Sequence, residues 1–144
     1  MSSLALAQAA RPSLVAVPLE VEPNPALTGT LLALRTQYFA VVELDSGAIV
    51  ASKRETESAL TETKRQDFRD SDEALAMLAT KSKTLYALHG WADITVNKQL
   101  VLTGRVVRDD GKLMVSAQVQ QSVKKDKPEA VMKMLTRALL AELK

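Results

Sequence analysis

No cysteine occurs in the 144 residues, so disulfides, thiolate metal sites and a thiol nucleophile are all excluded. Histidine occurs once, as His89. A hydrolase triad needs an imidazole beside an activated nucleophile, and the chain has no Gly-x-Ser-x-Gly elbow to present one. The five glycines, Gly29, Gly47, Gly90, Gly104 and Gly111, stand singly, whereas a phosphate-cradling loop needs them clustered before a helix. There is no His pair, and the acidic residues lack the spacing of a calcium loop. No apolar run approaches the length of about 18 residues that spans a bilayer. A net charge of +2, from 19 Lys/Arg and 17 Asp/Glu, supplies no electrostatic reason for a nucleic-acid or membrane partner.

What remains is an ordinary globular composition, 47% hydrophobic and 25% charged. At this length folding removes roughly 68–70% of the unfolded surface from water, enough for one core without staples. Residues 1–12 read as a tail and 13–144 as a single domain. Within the tail, Ala7-Gln8-Ala9 has the small-x-small form of a signal-peptidase site. A periplasmic location is therefore expected. A flexible cytoplasmic tail is the alternative, because neither the basic region nor the apolar core of a full signal fits between Met1 and Ala7.

Val15, Val17, Leu19 and Val21 alternate as a half-buried strand requires, and Pro18 makes that strand an edge or one that bulges. After Pro23-Asn24-Pro25, the residues Leu27, Leu31, Leu34 and Tyr38 recur at helical spacing over 25–37. Residues 38–44 are rich in aromatic and branched side chains and end at Asp45-Ser46-Gly47, so they read as a second, parallel strand closing a βαβ unit. Residues 52–66 suit an exposed helix. Asp70 and Glu73 have the spacing of a capping box for a short helix to about Lys81, with Ala74, Leu75, Leu78 and Ala79 as its apolar strip.

Beyond Lys83 the period becomes two. Breaks at Asn97-Lys98 and Asp109-Asp110-Gly111 divide 84–121 into three strands of an antiparallel meander. Tyr86, Leu88, Ala92, Ile94, Val96, Leu100, Leu102, Val106, Leu113, Val115, Ala117 and Val119 form its apolar face. The opposite face carries His89, Trp91, Thr103, Arg105 and Gln118. A final amphipathic helix follows Pro128, with Val131, Met134, Leu135, Ala138, Leu139 and Leu143 as its stripe. The expected fold is α+β: one domain, a mixed sheet of about five strands, with helices mainly on one face.

The carboxylate pairs Glu55/Glu57 and Asp70/Asp72 do not face one another on a helix, and Lys124, Lys125 and Lys127 lack the aromatics of a nucleic-acid patch. The informative group is Trp91, His89, Arg105, Thr103 and Gln118. An accessible Trp flanked by a guanidinium has the composition of an interaction hot spot, and pairing about Asn97-Lys98 brings Trp91 near Thr103 and Arg105. Its other reading is packing beneath a covering segment.

Asp72-Glu73-Ala74-Leu75-Ala76-Met77-Leu78-Ala79, Tyr86-Ala87-Leu88-His89-Gly90-Trp91-Ala92, Leu100 to Arg108 and Val115-Ser116-Ala117-Gln118-Val119 resemble the amino-terminal domain of the TolB translocation protein and the related domain of CsgG-type envelope secretion lipoproteins. Leu14 to Val17, Pro25 to Leu34 and Phe39 to Val42 extend the resemblance backward. The family's glycine at the helix-to-strand corner is absent between Thr80 and Tyr86. The resemblance implies the fold and an envelope setting, carries over no catalytic residue and implies no cofactor. It leads to the expectation of a noncatalytic, periplasmic or envelope-associated protein-interaction module, an accessory of a transport or secretion assembly, binding through the Trp91 face or an edge strand. A self-assembling oligomer or ring subunit is the alternative; a small-molecule binder or enzyme using His89 and Arg105 ranks below both.

Overall fold

The structure, a computed structural model, describes residues 13–21, 35, 38–43, 48–64, 67–95, 97, 99–122 and 133–138. The tail, most of the expected helix at 25–37, the Asp45-Ser46-Gly47 turn, Val96, Lys98 and the lysines before the last helix lie outside them. The strands are β1 (Ser13–Ala16), β2 (Glu20–Val21), β3 (Ile49–Val50), β4 (Tyr86–Ile94), β5 (Gln99–Arg108) and β6 (Leu113–Ser122), with helices α1 (Lys53–Thr63) and α2 (Asp72–Ser82) between β3 and β4. Residues 38–43 and 133–138 are also helical. Among the described residues, no helix is long and apolar enough to cross a membrane.

The sheet is mixed and has the order β3-β1-β4-β5-β6, with β2 pairing to β4 beyond the end of β1. β1 and β2 run parallel to β4, β3 runs parallel to β1, and β4, β5 and β6 form the expected antiparallel meander. The α+β class, the mixed sheet and the single domain are those read from the sequence. The parallel partner of β1, however, is Ile49–Val50 rather than residues 38–44. Residues 38–43 are helical because Tyr38, Val41 and Val42, spaced i, i+3, i+4, are the ones buried; burial on one stripe overrides their β-forming side chains.

β1 lies between β3 and β4, not at an edge. Pro18 acts through the other route, an interruption: Val17 N–H still reaches Leu88 O at 2.9 Å, and pairing resumes at Glu20 opposite Trp91. The break changes which face the side chains meet. Val15 and Val17 pack with Ala59, Phe68, Leu75 and Leu78, whereas Leu19 and Val21 join Leu14 and Ala16 on the other side of the sheet.

Helices cover both faces, where the sequence pattern placed them mainly on one. Tyr38, Val41, Val42 and Leu135 close the core over Leu88, Ala92, Leu102 and Val106, while α1 and α2 pack over Val15, Ala87 and Val107. α1 starts with a capping box between Ser52 and Glu55. α2 is capped by Ser71, whose hydroxyl accepts from Ala74 N, one residue later than expected, so Glu73 stands too early to close a box with it. The β5–β6 turn folds as read, with Gly111 at φ +91 and its N–H donating to Arg108 O. A bulge between Val106 and Val107 adds Met114 to the row on the first core and leaves Leu113 exposed rather than on the apolar face.

Candidate functional site

The cross-strand register builds the site. His89 pairs with Arg105 and that in turn with Ser116; Trp91 pairs with Thr103 and that with Gln118. These adjacent rows put all five sequence-selected residues on one sheet face, and Gln118 Nε2 donates to Thr103 Oγ1 at 3.0 Å. The face is not equally open along its width. The segment Asp67–Asp70 and the start of α2 lie over the β4 end, so His89 is 0% exposed, Trp91 and Thr103 are half-buried and Gln118 is exposed.

His89 lies beside Phe68 (ring centroids 6.1 Å apart) and Trp91 (5.3 Å). Its Nε2 is 3.0 Å from Glu20 Oε1, a residue brought there by the interruption at Pro18. Burial pushes the imidazole below its ordinary range; the Glu20 carboxylate opposes that shift, and Arg105 and Arg69 add to it. The neutral ring then donates through Nε2–H, and among the described residues Nδ1 has no partner. A buried histidine whose one proton is committed to a carboxylate is arranged as a structural pin that joins β2 to β4.

Arg105 also turns inward. Its Nη2 donates to Phe68 O at 2.8 Å, and its Nη1 pairs with Asp72 Oδ1 at 2.8 Å. The guanidinium thereby ties β5 to the segment entering α2. The guanidinium that flanks Trp91 is instead that of Arg69, 4.8 Å from the ring centroid and held by Asp93 at 3.0 Å. Arg69 precedes a helix start and Asp93 is on β4; neither signals the other in sequence, which is why the pair escapes a reading of periodicity.

Beside this stack opens a cavity of about 470 Å³ lined by Pro18, Leu19, Glu20, Val21, Arg35, Arg69, Trp91, Ala92 and Asp93. A second one, of about 750 Å³, shares Pro18, Glu20 and Arg35 and extends to Leu60, Thr61, Lys64 and Phe68. Together they form an open, mixed polar and apolar groove along the interrupted β1–β2 strand, with Trp91 at one end.

In sequence the chain matches no family profile and no curated relative. Its fold is found in solved structures. The C-terminal domain of LpoB from Salmonella enterica aligns with a TM-score of 0.52 at 12% identity, over 77% of this chain and 82% of that one. Lipoprotein GNA1162 from Neisseria meningitidis gives 0.54 at 17% identity, over 88% and 91%. TolB from Acinetobacter baumannii gives 0.57 at 14% identity, over 92% of this chain but 28% of that protein. At these identities what is shared is the fold.

Proposed function

We propose that this protein is a noncatalytic, envelope-associated interaction module acting in the periplasm, and that it recognises a protein partner through Trp91, Thr103 and Gln118 together with the groove beside them. The observation that carries this reading is the Arg69–Trp91 stack. A half-buried indole, fixed by a guanidinium that is itself fixed by Asp93, is a rigid anchor at the mouth of a cavity, and aromatic and Arg side chains so held dominate binding energy at protein interfaces. His89 and Arg105 support the anchor from beneath. The fold shared with lipoprotein GNA1162 and with TolB fits the envelope setting; a place beside a transport or secretion assembly rests on the resemblance in sequence alone.

The test is photo-crosslinking in the native cells from position 35, whose exposed Arg lines both cavities. An adduct with a second protein in the envelope fraction, lost in Trp91→Ala and in Gln118→Arg while both variants keep their far-UV spectrum, supports the reading. An adduct indifferent to both substitutions contradicts it.

A further inference from the structure

We propose that two copies of this chain pair antiparallel through their β6 strands, joining their sheets into one. Among the described residues the strand order ends at β3 and β6, and the two-residue β2 pairs with β4 alone. β3 is two residues long and is protected by its brevity. β6 runs for ten residues, Leu113–Ser122, without one charged residue or proline, although these are the devices by which natural edges avoid pairing. Among the described residues, no backbone hydrogen bond reaches β6 other than those from β5 and the β5–β6 turn.

The side chains select a second copy as the occupant. On one face of β6 lie Val115, Ala117 and Val119, half-buried at the margin of the core; on the other lie Ser116, Gln118 and Gln120, exposed. An antiparallel pair with its two-fold axis at Ala117 sets Val115 against Val119 of the partner subunit and Ser116 against Gln118 of the partner subunit. Apolar meets apolar and hydroxyl meets amide. The interface is isologous and closes at two. β6 itself carries no charge to oppose its copy, and Lys112, just before it, falls at opposite ends in the two copies. The valine row that a single copy leaves half-open is covered by the same row of the partner.

The chain has no native cysteine, so Ala117→Cys is a clean reporter: directly opposed residues in antiparallel strands are about 4.5–5.5 Å apart at Cα, within disulfide range. Sedimentation of the full chain across a dilution series is expected to show a twofold mass that falls to the monomer on dilution. Ser116→Lys with Gln118→Lys, which places four cations together at exposed positions, is expected to give the monomer mass at every concentration, with the melting temperature of the wild type measured where the wild type is itself diluted to the monomer. Ala117→Cys is expected to yield a covalent dimer on mild oxidation. A wild-type monomer throughout, a dimer unmoved by the two lysines, a dimer that Ala117→Cys fails to cross-link, or an assembly larger than two would overturn the proposal.

Discussion

Gly90 on β4 faces the hydroxyl of Tyr38: a Cβ at Gly90 would lie 2.9 Å from Tyr38 Oη and 3.3 Å from Leu19 Cδ1. The hydroxyl is buried and, among the described residues, has no hydrogen-bond partner, and burial pushes its ionisation far up. Tyr38 therefore contributes as a ring that fits only over a bare backbone. Gly90→Ala is expected to cost about 1–3 kcal/mol by overpacking. Tyr38→Phe removes an unpaired polar atom and is expected to be neutral or slightly stabilising, and it should recover much of the loss in the double variant. Urea unfolding of the four proteins measures the coupling directly.

His89 sets a pH dependence with a definite sign. Its folded pKa lies below the ordinary 6.5 because of burial, against the pull of Glu20. In the window below about 6.5 the unfolded chain binds a proton that the folded chain refuses, so stability falls as pH drops through that window and is fully present above it. Melting temperature followed from pH 7.5 to 5.5, values chosen to bracket that range, should decrease in the wild type. His89→Gln should remove that part of the slope.

Arg105 fastens the Phe68 carbonyl and Asp72 to β5. Its replacement by Ala leaves a buried carbonyl unpaired and a carboxylate without its cation. With Asp72 partly solvated, the expected loss is about 2 kcal/mol. Arg105→Lys should recover only part of it, since one ammonium does not reproduce the fork that reaches both acceptors. Thermal melts distinguish the two.

Lys83 ends α2 at φ 59, ψ 37, with its N–H and that of Thr84 closing the last turn on Ala79 and Thr80. This is the corner where the resembling family carries glycine. Lys83→Gly relieves a left-handed side chain at the expense of unfolded-chain entropy, for a net gain of about 0.5–1 kcal/mol. Calorimetry should show a raised melting temperature.

The meander was legible because its period of two survives both hairpins and its turns carry Asn97 and Asp109-Asp110-Gly111. α1 and α2 were legible from their polar and Ala/Leu stripes. Residues 38–43 were not, because Tyr, Phe and Val favour strands intrinsically and only the burial of Tyr38, Val41 and Val42 on one stripe reveals a helix. The five selected face residues do share a face, since alternation fixes that. Which of them reach solvent was not legible: it depends on where Phe68 and Arg69 cross the sheet, a long-range placement that leaves no local pattern. The cation beside Trp91 is accordingly Arg69 rather than Arg105.

The central claim is that the Trp91 anchor and its groove bind a protein partner in the envelope. The most direct test is photo-crosslinking from position 35 in native cells, read in wild type and in Trp91→Ala with matched melting curves. The account predicts an envelope-fraction adduct that disappears when the indole is removed although the protein remains folded. No adduct in any fraction, or one that survives the loss of Trp91, would contradict it.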